Sequence, residues 1–278
     1  MMNEQAEFSF GVFADVQYCD HPPFKQRYYR QALHKLKDCI QTFQKRELAF
    51  VIQLGDLIDR DYKSFEAVNP VISGLNKPFY SLLGNHDFEV RPEYKSKVLS
   101  KLGLQKGYYH FQHQHFRLIV LDGNEVSCYA YPKESDAYSQ ALEELKSLQA
   151  QHLQNAQAWN GGISKTQLDW LEDVLQSAKQ QDEKVIIFCH FPIWPESKYN
   201  LWNHRELNNL LQQYPNIVAY LNGHNHAGDY AKQGHIHFLT MHGVVETQEQ
   251  SAYGIVHVYQ NRLEIEGFGR EPQRTLYF

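Results

Sequence analysis

Long apolar runs are missing from this sequence. The longest, such as "RLIVL" (117–121) and "VIIF" (185–188), fall far short of the roughly 20 residues a membrane helix needs, so no bilayer span is expected. An excess of positive charge is missing too. There are 27 Lys and Arg against 32 Asp and Glu, a net charge of −5. That leaves no basic footprint for a nucleic acid. An anionic substrate would then need positive charge that is local or supplied by a metal. Cysteine is scarce: Cys19, Cys39, Cys128 and Cys189 are widely spaced and form no C-x-x-C. This excludes a zinc knuckle or a disulfide framework and suits a reducing, cytoplasmic compartment. The opening "MMNEQAEFSF" has no apolar core, so no secretory signal is expected. Internal repeats and Ser/Gly linkers are also lacking. Histidine, by contrast, is plentiful at 15 residues.

Short runs rich in Val, Ile and Phe alternate with helical patterns. Strands are expected at 8–14, 48–54, 77–83, 183–189 and 216–222, with a hairpin around "GYYHFQHQHFRLIVL" that turns at His113-Gln114. Apolar residues Leu33, Leu36, Ile40 and Phe43 recur at helical spacing, and a second helix is expected before Leu75. Short strands separated by turn residues close the chain. The pattern points to an α/β fold with a mixed sheet or two packed sheets. Residues 125–160 break the rhythm with a Gln- and Glu-rich helix, "ESDAYSQALEELKSLQAQHLQNAQAW", read either as a cap inserted in a single domain spanning 1–278 or as a peripheral helix.

Five of these strands end in a metal-capable side chain. The first delivers Asp15 and Gln17, the second "GDLID" with Asp56 and Asp59, and the third "GNHD" with Asn85, His86 and Asp87. "VIIFC" delivers His190, and "VAYLN" delivers "GHNH" with His224 and His226. Taken singly, each has a plainer explanation: a helix cap at Asp15, turn chemistry in Gly-Asp, a satisfied histidine at 190. Together they gather at the carboxyl edge of the strands, where open α/β sheets bind ligands.

In this order, D-x-Q, GD-x-x-D, GNHD, a lone His and GH-x-H resemble the calcineurin-like metallophosphoesterase superfamily, over roughly residues 8–230. The resemblance implies a four-layer α-β-β-α sandwich of two mixed β-sheets flanked by helices, and a site for two divalent metals. It implies that Asp56 bridges the metals. One metal also takes Asp15, Gln17 and His226, and the other Asn85, His190 and His224. His86 faces substrate as the catalytic histidine, Asp87 sets its orientation, and Asp59 holds a ligand in place. The residue types suit phosphoester hydrolysis. Two cations can clamp the attacking and leaving oxygens of an in-line displacement, and water on a metal loses its proton near neutral pH.

Gln17 departs from the commoner Asp-x-His. A hard amide oxygen moves one site toward Mn²⁺, with Mg²⁺, Fe or Zn²⁺ as alternatives. The D-x-Q start, "RYYRQALHKL" (27–36), "NGGISKTQLDWL" (160–171), "GHNHAGDY" and "HGVVET" (242–247) are similar to the manganese-dependent ADP-ribose/CDP-alcohol diphosphatase subgroup. That similarity implies hydrolysis of a phosphoanhydride: ADP-ribose to AMP and ribose 5-phosphate, CDP-choline to CMP and phosphocholine. The partner is then a small nucleotide.

Candidate substrate contacts are Arg27 and Arg30 for a distal phosphate, Asn124, the backbone at Asn160-Gly161-Gly162, and a base pocket drawn from Tyr28, Tyr29, Phe191, Trp194 and Tyr199. Core packing and exposed helix arginines are the plainer alternatives. Rival functions are a cyclic-nucleotide phosphodiesterase, a phosphomonoesterase, a phosphoprotein phosphatase, or a non-catalytic metal-bound scaffold. The last is disfavoured because the full set of ligand-type residues is kept.

Overall fold

The computed structural model describes residues 5–278; Met1–Glu4, part of the stretch read for a missing signal, lie outside the described residues. In chain order the elements are β1 (Phe8–Phe13), α1 (Tyr29–Gln44), β2 (Phe50–Gln53), α2 (Ser64–Ser73), β3 (Phe79–Ser81), the single turns α3 (Pro92–Lys95) and α4 (Val98–Lys101), β4 (Tyr109–His113), β5 (Phe116–Val120), α5 (Asp136–Ala150), α6 (Lys165–Gln180), β6 (Lys184–Phe188), α7 (His204–Leu211), β7 (Ile217–Asn222), β8 (Ala227–Gln233), β9 (Ile236–His242), β10 (Ala252–Val258), β11 (Arg262–Gly269) and β12 (Arg274–Tyr277). No helix among the described residues is long and apolar enough to cross a membrane.

The strands form two six-stranded sheets, in the orders β12-β11-β10-β1-β2-β3 and β4-β5-β6-β7-β9-β8. Both are mixed. In the first, β1, β2 and β3 run parallel, with Phe10 opposite Phe50, while β10 pairs antiparallel with β1. In the second, β5, β6, β7 and β9 run parallel, with antiparallel β4 and β8 at the edges.

Period-two alternation sorts each strand's side chains between two cores. Phe8, Phe10 and Val12 of β1 face Phe116, Ile186, Phe188 and Leu239 of the other sheet. Phe10 stacks on Phe50 at 4.9 Å and meets Phe188 edge-on at 5.9 Å. The intervening Phe13 faces outward onto Leu36, Ile40 and Phe43 of α1 and Phe65 and Val68 of α2. On the far side Val185, Ile187 and Cys189 face Leu168, Leu171 and Leu175 of α6 and Leu207 and Leu211 of α7. The order of layers is therefore helix, sheet, sheet, helix. Each fully buried Phe or Leu contributes about 1.5–3 kcal/mol. Gly11 lets α1 approach: a Cβ there would lie 2.9 Å from the Phe43 ring.

The expected strands exist; four are shorter at their carboxyl ends, stopping at Phe13, Gln53, Ser81 and Phe188, while β7 ends at Asn222 as expected. Beyond these points the chain leaves the ladder to build the site. The hairpin turns one residue later than expected, at Gln114-His115, with Gln114 at φ 51° and His113 opposite Phe116. The 125–160 helix ends at Ala150, and the chain after it turns at left-handed His152 (φ 55°).

Candidate metal centre

Loops from both sheets meet at one edge, and the backbone there is unusual. Asp15, Gln17, Asp56 and His224 all have positive φ, between 45° and 68°. Such conformations cost about 1–3 kcal/mol each for non-glycine residues and persist only where the surroundings impose them. The surroundings do so here. Gln17 N–H donates to Asp56 O (2.8 Å), and Val245 N–H donates to Asp15 O (2.9 Å). Asp87, fully buried, accepts four amide N–H groups with its carboxylate, from Gly84, Asp56, Leu57 and Ile58, at 2.9–3.1 Å. It is the clamp of the Asp56 loop.

Two donor clusters share one carboxylate. In the first, His226 Nε2 lies 3.3 Å from Asp15 Oδ1 and 3.1 Å from the Gln17 amide nitrogen, which in turn lies 2.9 Å from Asp56 Oδ2. The Gln17 carbonyl oxygen is buried and accepts no hydrogen bond. In the second, His190 Nε2 lies 3.3 Å from Asp56 Oδ2, 3.1 Å from Asn85 Oδ1 and 3.2 Å from His224 Nδ1. Asp15, Asp56 and His226 thus form one potential cation site, and Asp56, His190 and His224 another.

The outer ring nitrogens fix which lone pairs point inward. His190 Nδ1 faces the Leu54 carbonyl at 2.8 Å, His226 Nδ1 faces Glu246 Oε1 at 2.7 Å, and His224 Nε2 faces Asn160 Oδ1 at 2.9 Å. Each partner is an acceptor, so each ring donates outward and turns its other nitrogen toward the carboxylates. Convergent imidazole lone pairs and the buried carboxylates of Asp15 and Asp56 call for positive charge between them. The electrostatics agree. Burial would raise the Asp56 pKa, yet His190 and His86 hold it well below the usual range. Burial pushes His190 down, but Asp56 overrides this and lifts it to about 9. The donor set fits two divalent cations: carboxylate, amide and imidazole on each side.

His86 stands beside the clusters, with its backbone N–H on Asp56 Oδ1 (2.7 Å). Its Nδ1 lies 3.1 Å from Asp59 Oδ1 and 3.4 Å from Glu89 Oε1. Burial lowers its pKa, but Asp56 and Asp59 raise it to about 9. Asp87 is therefore not the partner of His86. Its carboxylate folds under the loop to reach backbone amides, and Asp59 takes the orienting position instead. Arg27 Nη1 lies 3.4 Å from His86 Nε2, and Arg27 Nε lies 3.8 Å from Glu246 Oε1.

The other candidates divide. Arg30 pairs with exposed Asp20 at 2.5 Å, on the surface. Asn124 is buried and its amide is spent: Nδ2 donates to Leu83 O and Asp122 Oδ1, and Oδ1 accepts from Tyr129. It braces the GNHD loop and has no free group for a substrate. Tyr29 is buried, with its hydroxyl against Arg60, so it cannot stack a base; Tyr28 is half-buried and its N–H pairs with Val245 O. Phe191 is buried beneath His190 and His224, with ring centroids 4.9 and 4.6 Å away, and supports the ligands rather than facing solvent. Trp194 packs against the α6–α7 core. Tyr199 stands near the site, 6.0 Å from His224 and 5.5 Å from Trp159. The glycines at 161 and 162 pair with Trp202 and Val126 backbone, so it is the Asn160 side chain that reaches the site.

Glu246, Trp159 and the role of Asn160 escaped sequence reasoning. Glu246 sits in "HGVVET", 20 residues after His226, with no spacing that ties the two. Trp159 has one signal, its place directly before Asn160.

The chain matches the family model described as calcineurin-like phosphoesterase over residues 8–228. It is 33% identical to a manganese-dependent ADP-ribose/CDP-alcohol diphosphatase of Xenopus tropicalis, covering 99% of this chain and 95% of that one. The Homo sapiens protein of the same name is 32% identical, over 98% of this chain and 93% of its own. Among solved structures, a dimetal phosphatase from Danio rerio superposes with a TM-score of 0.88 at 25% identity, covering 99% of this chain and all of that one.

Proposed function

The chain belongs to the calcineurin-like phosphoesterase family, a family of dinuclear metal-dependent hydrolases, and from that premise we propose that it hydrolyses the phosphoanhydride of nucleoside diphosphate-linked compounds with Mn²⁺ as cofactor. ADP-ribose is split to AMP and ribose 5-phosphate, and CDP-alcohols to CMP and a phosphoalcohol. The observation that carries the dinuclear mechanism is Asp56, whose one carboxylate belongs to both donor clusters. The names of full-length relatives from frogs to humans carry the substrate class.

In this mechanism Asp15, Gln17, Asp56 and His226 hold one cation, and Asp56, Asn85, His190 and His224 the other. When bound, the two cations polarise the phosphoryl oxygens and supply hydroxide at neutral pH. His86, oriented by Asp59, hydrogen-bonds a phosphoryl oxygen or protonates the leaving group. Arg27 completes the anion cradle with a charge-assisted hydrogen bond to the phosphate. Trp159 and Tyr199, a half-buried aromatic pair beside His224, offer planar faces to a base. Trp159 and Asn160, the last two residues of the 125–160 segment, flank the His224 side of the site.

Product analysis tests the proposal. The protein with Mn²⁺ is incubated with ADP-ribose, CDP-choline, a cyclic nucleotide and p-nitrophenyl phosphate, with Asp56→Asn as the blank. AMP and CMP should appear from the first two well before the others react. Turnover of the cyclic nucleotide or the monoester alone rejects the diphosphatase assignment. The leaving group in an anhydride is itself a phosphate ester, so His86→Ala should slow a poor-leaving-group ester more than ADP-ribose. Equal losses would rule out the acid role.

A further inference from the structure

The three candidate ligand histidines, His190, His224 and His226, differ in what stands behind them. His190 is backed by a peptide carbonyl and His224 by an amide oxygen, both neutral. His226 alone is backed by a carboxylate, Glu246 Oε1 at 2.7 Å. That carboxylate belongs to a built element. Glu246 pairs in backbone bridges with Arg27, Thr247 N–H donates to Gln26 O, and the nearly fully buried Lys35 donates Nζ to both Glu246 O and Thr247 O at 2.9 Å. Arg270 donates to Gly243 O at the start of the same strap, and Val245 ties it to Asp15. The charged groups facing Glu246 are His226, Arg27, Arg270 and Lys35.

We propose that Glu246 is a positioning residue that makes the two metal positions unequal: its carboxylate fixes His226 with Nδ1 protonated and Nε2 directed at the Asp15/Gln17 cation, and strengthens that nitrogen as a donor. This compensates for the amide at Gln17, which supplies no imidazole and no charge. The Asp15/Gln17/His226 position then holds two carboxylates and a carboxylate-backed imidazole, and is the tighter Mn²⁺ site. The inference rests on the dinuclear metal assignment above. Loss of such a partner typically weakens metal affinity about 10–100-fold.

The test is a Mn²⁺ titration of the chelator-stripped full-length protein, followed calorimetrically and by the electron paramagnetic resonance signal of free Mn²⁺. Wild type should bind two ions with unequal affinity. Glu246→Gln, which keeps shape and acceptor but removes the charge, should weaken the tighter site about 10–100-fold and leave the weaker one within about threefold. Glu246→Ala should weaken the tighter site further. Unchanged binding in Glu246→Gln, or equal weakening of both sites, overturns the inference and leaves the dinuclear assignment standing. A wild type that binds no Mn²⁺, or one ion only, overturns both.

Discussion

The two halves of the metal centre each draw on both sheets but differ in chemistry. The half around Asp15, Gln17 and His226 is rich in oxygen: two carboxylates, an orphaned amide oxygen, and one imidazole anchored on Glu246. The half around Asn85, His190 and His224 is rich in nitrogen: two imidazoles against one shared carboxylate and one amide. Oxygen donors suit hard cations such as Mn²⁺ and Mg²⁺, while imidazole suits Zn²⁺ and Fe as well. On the proposed assignment, the amide at Gln17, where the commoner residue is histidine, marks a division of labour between the halves, joined at Asp56.

Removing the joint should have the largest effect. Asp56→Asn strips charge from both halves and should lower kcat/KM for ADP-ribose on the order of 10³-fold or more, about 4 kcal/mol of transition-state stabilisation. A loss below tenfold would mean that the halves work independently. Arg27→Ala, outside both halves, should raise KM about tenfold with a smaller change in kcat, reflecting one charge-assisted contact. Gln17→His replaces an oxygen donor with nitrogen and erases the contrast. The ratio of Zn²⁺- to Mn²⁺-supported activity should rise about tenfold, measured with each metal on stripped enzyme. An unchanged ratio would show that the contrast lies elsewhere.

The smallest effect is a pH slope in the stripped protein. His86 has a folded pKa of about 9, above its ordinary 6.5, through Asp56 and Asp59 acting against burial. A raised folded pKa contributes stability that is complete below about pH 6.5 and is lost as pH rises through about 9. Thermal melts with chelator should therefore decline across that window, and less steeply in Asp59→Asn. Identical slopes would show that Asp59 does not act on His86.

The layered fold and the gathering of the candidate ligands were legible because each is written in local signals. Short apolar runs mark β1, β2, β6 and β7, and a ligand-type residue follows each of these strands within a few positions. What was hidden depends on contacts between distant segments. Asp87 looks like a partner for its neighbour His86, yet its carboxylate serves four backbone amides of a left-handed loop that no sequence pattern announces. Asn124 reads as a strand-end polar residue, but its hydrogen bonds brace Leu83. Glu246 carries no signal of its own within "HGVVET", and only the fold brings it to His226. Strand ends were overextended for the same reason: the site takes over the backbone where the ladder stops.

Anomalous diffraction from crystals grown with Mn²⁺ would test the central claim most directly. Two peaks should flank the Asp56 carboxylate, one among Asp15, Gln17 and His226 and the other among Asn85, His190 and His224. A single peak, or a pair of peaks that does not share Asp56, would contradict the account.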